Sequence, residues 1–210
     1  MNDLLEDGLE RLSIAADADM IRKLETYISE IELFNPVYHL VSYEDRDELV
    51  IRHILDCAAG CPVIRQREKE GCSVADLGSG AGFPGIVLSI LMPEYRFFLI
   101  ERMKRRVDFL KNVVLRCNLG NVEVISYDVK DVRREFDCVT FRAFHPLYDI
   151  IGDAHRLLAK GGALYAYKAR QSYVEAETEG LEGFDSELVR MRVPFLDEVR
   201  HMLILRKKGE

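Results

Sequence analysis

The sequence predicts an α/β fold built on a doubly wound, mostly parallel sheet, with a helical cap before it and an antiparallel hairpin at its end. Three observations predict this. From residue 73 to 168, strand-sized apolar runs alternate with helix-length segments, the pattern of parallel strands joined by crossover helices. At the first join, Val74-Ala75-Asp76-Leu77-Gly78-Ser79-Gly80-Ala81-Gly82-Phe83-Pro84-Gly85, a buried strand passes through a carboxylate and a glycine turn into a helix that starts at Pro84. Near the end, two strand-like runs at about 187–195 and 199–206 have no helix-length segment between them. Such a hairpin puts one antiparallel strand at or near a sheet edge.

Taken in order, residues 17–34 carry Ile21, Leu24, Ile28 and Ile31 at helical spacing, with Asp17 or Asp19 as N-cap. Residues 45–60 read as helix again through Leu49, Ile51, Ile54 and Leu55. Gly60, Pro62 and the charged run at 65–70 mark a linker, dividing the chain into a helical cap, 1–62, and a main domain, 63–210, within one structural unit. The alternation then reads strand 73–77, helix 85–91, strand 96–100, helix 103–117, strand 122–126, strand 137–141, helix 146–158 and strand 162–168. Ligands of such sheets bind at the carboxyl ends of the strands, where the strand order reverses. The functional residues are therefore expected just after each strand.

Composition narrows the class. The 210 residues are 48% hydrophobic, enough for one substantial core. No apolar run approaches the roughly 20 residues of a membrane span. Asp3, Glu6, Asp7 and Glu10 break any signal-peptide pattern at the start. The five cysteines, Cys57, Cys61, Cys72, Cys117 and Cys138, lack paired metal-ligand spacing and read as reduced thiols of a cytoplasmic protein. A monomer is the default expectation. The net charge of −7 is segregated. Residues 1–35 hold nine acids against three bases, and further acids recur at Glu175, Glu177, Glu179, Glu182, Asp185 and Glu187. Arg102, Lys104, Arg105, Arg106, Lys111 and Arg116 face only Asp108. A basic face of that kind suits a polyanion despite an acidic total.

The strand ends supply a ligand site. A dinucleotide fold normally has glycine where Asp76 stands, so that a pyrophosphate can sit on the turn. A carboxylate there suits a cofactor with a cationic amino-acid end, and S-adenosyl-L-methionine is one. Gly78, Gly80 and Gly82 let backbone approach the ligand. Glu101 follows the second strand, 21 residues beyond Gly80, placed to accept from ribose hydroxyls. Asp128 follows the third, placed to accept from an adenine amino group with the Val129 backbone beside the ring. Arg142 follows the fourth and points into the crevice, toward a carboxylate, a phosphate or a guanine edge.

Several segments together resemble one family. They are Phe34-Asn35-x-x-Tyr38-x-Leu40, Arg52-His53-Ile54-Leu55-Asp56, the glycine turn, Lys104-Arg105-Arg106-Val107-x-Phe109-Leu110, Arg142-Ala143-Phe144, Tyr165-x-x-Lys168, Val193-Pro194-x-Leu196 and Arg200-His201-Met202. The chain is similar from about residue 20 to 207 to the glucose-inhibited division protein B family, also called RsmG. The glycine turn is shared with many methyltransferases; the Arg-His-Ile-Leu-Asp and Arg-Ala-Phe segments are the specific part. The resemblance implies a class I S-adenosylmethionine-dependent methyltransferase acting on N7 of one guanine in 16S ribosomal RNA. It implies cofactor contacts at Gly78, Phe83, Val129, Lys130 and Arg142. Arg52 and His53 at the end of the cap helices, with Arg102, Lys104, Arg105 and Arg106 on the rim beside the cofactor site and Lys168 and Arg200, are expected to form an RNA side. The partner would be 16S rRNA or the small subunit, with no membrane. Phe34, His39 and Ala169 stand where the family typically has tryptophan, asparagine and glycine. Within the segment 52–56, Arg52 and Asp56 at i, i+4 also fit a structural ion pair.

Guanine N7 carries an in-plane lone pair free at neutral pH, so its methylation needs no general base and no metal. Three other readings stay open at this level: a small-molecule methyltransferase, a nicotinamide-dependent oxidoreductase, and a cofactor-binding scaffold of ribosome assembly.

Overall fold

The computed structural model describes residues 3–142, 147–168 and 183–208. Ala143, Phe144, His145, Pro146, Ala169 and the acids of 175–182 lie outside them. Seven strands form one sheet in the order β3-β2-β1-β4-β5-β7-β6: β1 Ser73–Leu77, β2 Arg96–Ile100, β3 Val122–Ile125, β4 Phe136–Arg142, β5 Leu158–Lys168, β6 Phe184–Met191 and β7 Arg200–Lys207. β1 to β5 pair in parallel; β7 pairs antiparallel with both β5 and β6. The strand order reverses between β1 and β4, as expected of a doubly wound sheet, and the hairpin occupies one edge.

Alternation along the strands divides the core in two. Val74, Phe97, Leu99, Cys138, Tyr165 and Ile204 face one side, covered by α1 Asp3–Arg11, α2 Ala18–Tyr38, the helices of 46–65, α6 Gly85–Leu91 and α7 Lys104–Arg116. Ala75, Leu77, Phe98, Ile100, Val139 and Leu205 face the other, covered by α8 Leu147–Leu157. The cap is thus part of the main core. At Gly60 an added Cβ would lie 2.0 Å from the Tyr167 hydroxyl and 2.9 Å from Met202, so the cap backbone rests directly on the sheet.

Four expectations are corrected. α1 has no counterpart in the periodicity read above. The 45–60 helix is α3 Arg46–Leu49, a π-helical stretch Val50–Leu55 and α4 Asp56–Ala58. The linker is helix α5 Cys61–Arg65, so a division at 62/63 falls inside a helix. Its charged continuation is an ion-pair seam to the sheet: Arg65 binds Glu94 at 2.7 Å, Arg67 binds Glu187 at 2.6 Å, and Glu68 accepts from Arg206 at 2.6 Å. Finally, β5 starts at 158 and β6 spans 184–191, so Val193 and Pro194 lie in the turn before β7. Asp17, not Asp19, caps α2, accepting from Met20 N–H at 2.8 Å. Four of the five cysteines are buried and all are free; burial pushes the Cys61 thiol up to about 12.

Candidate active site

Leaving β1, the chain turns sharply because Gly78 and Ser79 both donate to the Ile100 carbonyl, at 2.9 and 3.1 Å. Gly80 has φ +57, and a Cβ there would meet only the Gly78 carbonyl at 3.7 Å. Its side is open cleft, so a bare backbone faces the ligand space. Gly85 differs: a Cβ would lie 2.3 Å from Leu99 and 2.7 Å from Asp76 Oδ2, which fixes α6 tightly against the sheet.

Asp76 is fully buried beneath this turn and accepts from Gly85 N–H at 3.1 Å, capping the first turn of α6 from the strand. Its Oδ1 is buried without a hydrogen-bond partner. Burial pushes its carboxyl up to about 7, against the pull of the Ser79 hydroxyl, the Gly85 N–H and Arg142. The sequence reading placed Asp76 and a helix N-terminus against the ligand. The structure places the carboxylate under the turn and spends that N–H on it.

A cleft of about 680 Å³ opens above the turn, within the range of sites for drug-sized ligands. Gly78, Gly80, Phe83, Glu101, Asp128, Val129 and Arg142 line it, as expected. Asp76, Gly82 and Lys130 do not: Asp76 lies below, Gly82 abuts Ile86 and the Tyr27 hydroxyl, and the Lys130 side chain is exposed. Tyr27 donates to the Ala81 carbonyl at 2.8 Å and so braces the turn from α2.

At the β2 and β3 ends, Glu101 is 4% exposed and accepts from Gly80 N–H at 3.0 Å and Met103 N–H at 2.8 Å. Asp128 accepts from Lys130 N–H and Arg102, both at 3.3 Å. Ile100, Met103, Tyr127 and Val129 line the wall between these acids. A buried Glu101 and a part-exposed Asp128, both anchored by backbone N–H groups, together with an apolar wall and an open glycine, make a cleft with room and acceptors for an adenosine. The residues present suit S-adenosyl-L-methionine.

At the β4 end, Arg142 reaches into the cap. It donates to the Arg52 carbonyl at 3.1 Å, Asp56 at 3.0 Å and His53 Nδ1 at 2.8 Å, and lies over the Phe83 ring at 4.9 Å. His53 stacks on Phe83 with centroids 5.3 Å apart, and its Nε2–H donates to the Ser42 carbonyl at 3.2 Å. Burial, then Arg142, holds the imidazole down at about 4, so it is neutral at pH 7. Asp56 also pairs with Arg200 at 3.3 Å. The i, i+4 pair expected of Arg52 and Asp56 is not formed. Arg52 sits between Glu48 at 3.3 Å and Glu198 at 3.5 Å, because Arg142 and Arg200 claim Asp56.

Among the residues read as RNA-facing, Arg102, Lys104 and Arg105 are exposed on one rim, and Arg102 and Arg106 line the cleft itself. Lys104 pairs with Asp108 at 2.9 Å. Arg200 is 15% exposed and spends its charge on Asp56 and Glu198 rather than outward. Lys168 lies half-buried, its Nζ 5.8 Å from the Phe141 ring centroid. Leu40, Val41, Ile100, Met103 and Tyr127 also line the cleft without having been singled out as site residues. Leu40 stands in a motif and Tyr127 just after a strand; Val41 carries no such signal. Among the described residues no group of three or more His, Cys, Asp or Glu is placed to hold a metal.

A doubly wound sheet with a glycine turn after β1, an acid after β2 and Asp-Val after β3, all on one cleft, defines a Rossmann-like class I methyltransferase. Residues 20–204 match the model of the GidB family, rRNA small subunit methyltransferase G, and the chain belongs to that family. It is 34% identical over 189 residues to ribosomal RNA small subunit methyltransferase G of Borrelia turicatae, covering 90% of each chain. It is 33% identical over 209 residues to the protein of that name in Treponema pallidum (strain Nichols), covering 96% of this chain and 92% of that one. In fold it is similar to a putative rRNA methylase of Clostridium thermocellum (TM-score 0.56, 16% identity, 81% of this chain and 99% of that one). It is also similar to the tRNA (m1A58) methyltransferase TrmI of Aquifex aeolicus (TM-score 0.54, 17% identity, 66% and 63%). The chain is an S-adenosylmethionine-dependent rRNA methyltransferase. Among the described residues no helix is long and apolar enough to cross a membrane.

Proposed function

We propose that this protein methylates N7 of a specific guanine in 16S rRNA, with the small ribosomal subunit or its RNA as substrate, by direct in-line transfer. It would act in the cytoplasm as a monomer. When bound, S-adenosyl-L-methionine supplies an electrophilic methyl on a sulfonium. Glu101 and Asp128 would hold its adenosine. The wall formed by Phe83, His53 and Arg142 would receive an unstacked base, which reassigns Phe83 and Arg142 from the cofactor contacts that the family resemblance implies.

The observation that carries this reading is the state of His53. It is the neutral nitrogen base of the cleft, yet Arg142 occupies one ring nitrogen and the Ser42 carbonyl the other. A group so committed orients the wall and does not take a proton. An acceptor whose nucleophile is a free lone pair, guanine N7, needs no such transfer, and alignment alone contributes up to roughly 7–11 kcal/mol in well-oriented cases. Arg142 is the positioning residue that ties β4 to the cap. Arg102, Lys104, Arg105 and Arg106 would meet RNA phosphates along the rim, making affinity fall with salt.

The test is methyl transfer from labelled cofactor to undermethylated small subunits, bare 16S rRNA and a pool of small metabolites, with the product base identified by mass spectrometry. 7-Methylguanine on ribosomal RNA is the expected product. Label on metabolites alone overturns the reading, and tight cofactor binding without transfer leaves a scaffold.

A further inference from the structure

The turn that follows α2 forms part of the cleft, and one side chain holds it. Asn35 Oδ1 accepts from Leu40 N–H at 2.8 Å and from Val41 N–H at 3.0 Å, while Nδ2 donates to the Val41 carbonyl at 2.9 Å. Its own carbonyl accepts from His39 N–H at 2.9 Å. Two donors converge on one atom and an acceptor on the other, so only one orientation of the amide satisfies the set. The turn is gripped from its far side too, where His53 donates to the Ser42 carbonyl. Leu40 and Val41 thereby become lining residues of the cleft although they lie 37 or more residues before the glycine turn.

Their side of the cleft is not the adenosine side. Glu101 and Asp128 close the site at the β2 and β3 ends, whereas β4 lies on the opposite flank of β1. Arg142 at the end of β4 binds Arg52, His53 and Asp56, and His53 binds the turn of Leu40 and Val41. The turn therefore belongs to the flank left for the acceptor. Leu40 and Val41 are apolar, and Phe83 lines the same flank, so a planar base would lie against aliphatic and aromatic surface there.

We propose that Asn35 is a positioning residue for the acceptor nucleotide: it clamps the turn whose Leu40 and Val41 wall the pocket of the unstacked purine. This rests on the reading that the substrate is an rRNA base. Asn35 touches neither cofactor nor substrate and acts through the turn.

The experiment compares wild type with Asn35→Ala, Asn35→Asp and Val41→Ala. It measures steady-state kinetics on undermethylated small subunits and the Kd for S-adenosylmethionine by calorimetry. Asn35→Ala is expected to raise the KM for subunits about tenfold, equivalent to about 1.4 kcal/mol, with cofactor Kd and kcat nearly unchanged. Asn35→Asp keeps the acceptor for both N–H groups but sets a carboxylate oxygen against the Val41 carbonyl, and recovers only part of the loss. Val41→Ala leaves every Asn35 bond in place and raises the same KM. An unchanged KM in folded Asn35→Ala, or a cofactor Kd that rises in step with KM, overturns the assignment. Should Asn35→Ala not fold, an unchanged KM in Val41→Ala overturns it. Failure of wild type to methylate subunits would instead sink the rRNA reading and is seen before any variant is compared.

Discussion

The two flanks of the cleft are built by different means. On the flank proposed for the adenosine, Glu101 contacts Gly80 and Met103, and Asp128 contacts Lys130 and Arg102, almost all backbone or near neighbours at consecutive strand ends. On the flank proposed for the acceptor, Arg142 spans 86 to 90 residues to reach Asp56, His53 and Arg52, and the wall is a turn from before the sheet begins. The first flank is made by strand ends that any sheet of this winding brings together. The second exists only once the cap has docked. Cofactor binding should therefore tolerate damage to the cap, and acceptor recognition should not.

The largest expected effect comes from cutting the tie between cap and sheet. Arg142→Ala leaves Asp56, only 5% exposed, with Arg200 as its remaining cation. Removing one partner of a buried pair costs about 3–5 kcal/mol, and methyl transfer should fall at least about a hundredfold, roughly 2.7 kcal/mol in the barrier. Denaturant unfolding of Arg142→Ala, Asp56→Ala and the double variant measures the pair. The double variant should be more stable than the sum of the singles implies, by more than about 1 kcal/mol. Strict additivity would mean that the flank is held by packing alone.

Asp76 tests the shared floor. Its folded carboxyl is pushed up to about 7, above the ordinary 3.8, because burial disfavours the charge. The folded state then holds the proton more tightly than the unfolded state, so this contribution is full below about pH 4 and is lost as pH rises to about 7. Three units at 1.36 kcal/mol each amount to about 4 kcal/mol. Asp76→Asn should flatten the fall in stability across that window, read by urea unfolding at successive pH values. An unchanged slope would mean that other groups carry it.

How far each flank could be read in the sequence follows from the same contrast. Glu101, Asp128 and the glycine turn were legible because strand ends of a parallel sheet converge, and position after a strand is a sequence property. Asp76 was legible as important but its capping of α6 was not, since that contact depends on how closely Gly85 packs on Leu99. The π-helical stretch was invisible: Leu49, Ile51, Ile54 and Leu55 fit a helical period, and the widening coincides with Arg142 drawing on Arg52, His53 and Asp56 at once. The ion pairs of 65–68 looked like a linker because charge in a sequence does not name its partner. Family motifs did mark Asn35 and Leu40, but only the turn geometry says why.

Glu101→Ala sharpens the comparison from the adenosine side. It frees the Gly80 and Met103 N–H groups and removes the acceptor proposed for the ribose. Cofactor Kd by calorimetry should rise about ten- to a hundredfold, or roughly 1.4–2.7 kcal/mol, while RNA binding measured by filter retention changes little. Equal losses in both would merge the two flanks into one.

The smallest effect is expected at His39, which sits at the boundary of α2 and the acceptor wall. Its φ of 50° and ψ of 53° are the left-handed conformation of a helix C-cap, and its side chain is exposed. Glycine is the commonest residue in that conformation at a helix end and asparagine follows it, while histidine is itself tolerated there. An asparagine at this position would fit the same backbone conformation. His39→Asn should stabilise the fold by a few tenths of a kcal/mol to about 1 kcal/mol, read as a higher urea midpoint at constant slope. KM for small subunits should stay as in wild type, since the Asn35 clamp uses the neighbouring N–H groups. A changed KM with unaltered stability would instead move the His39 side chain into the acceptor pocket.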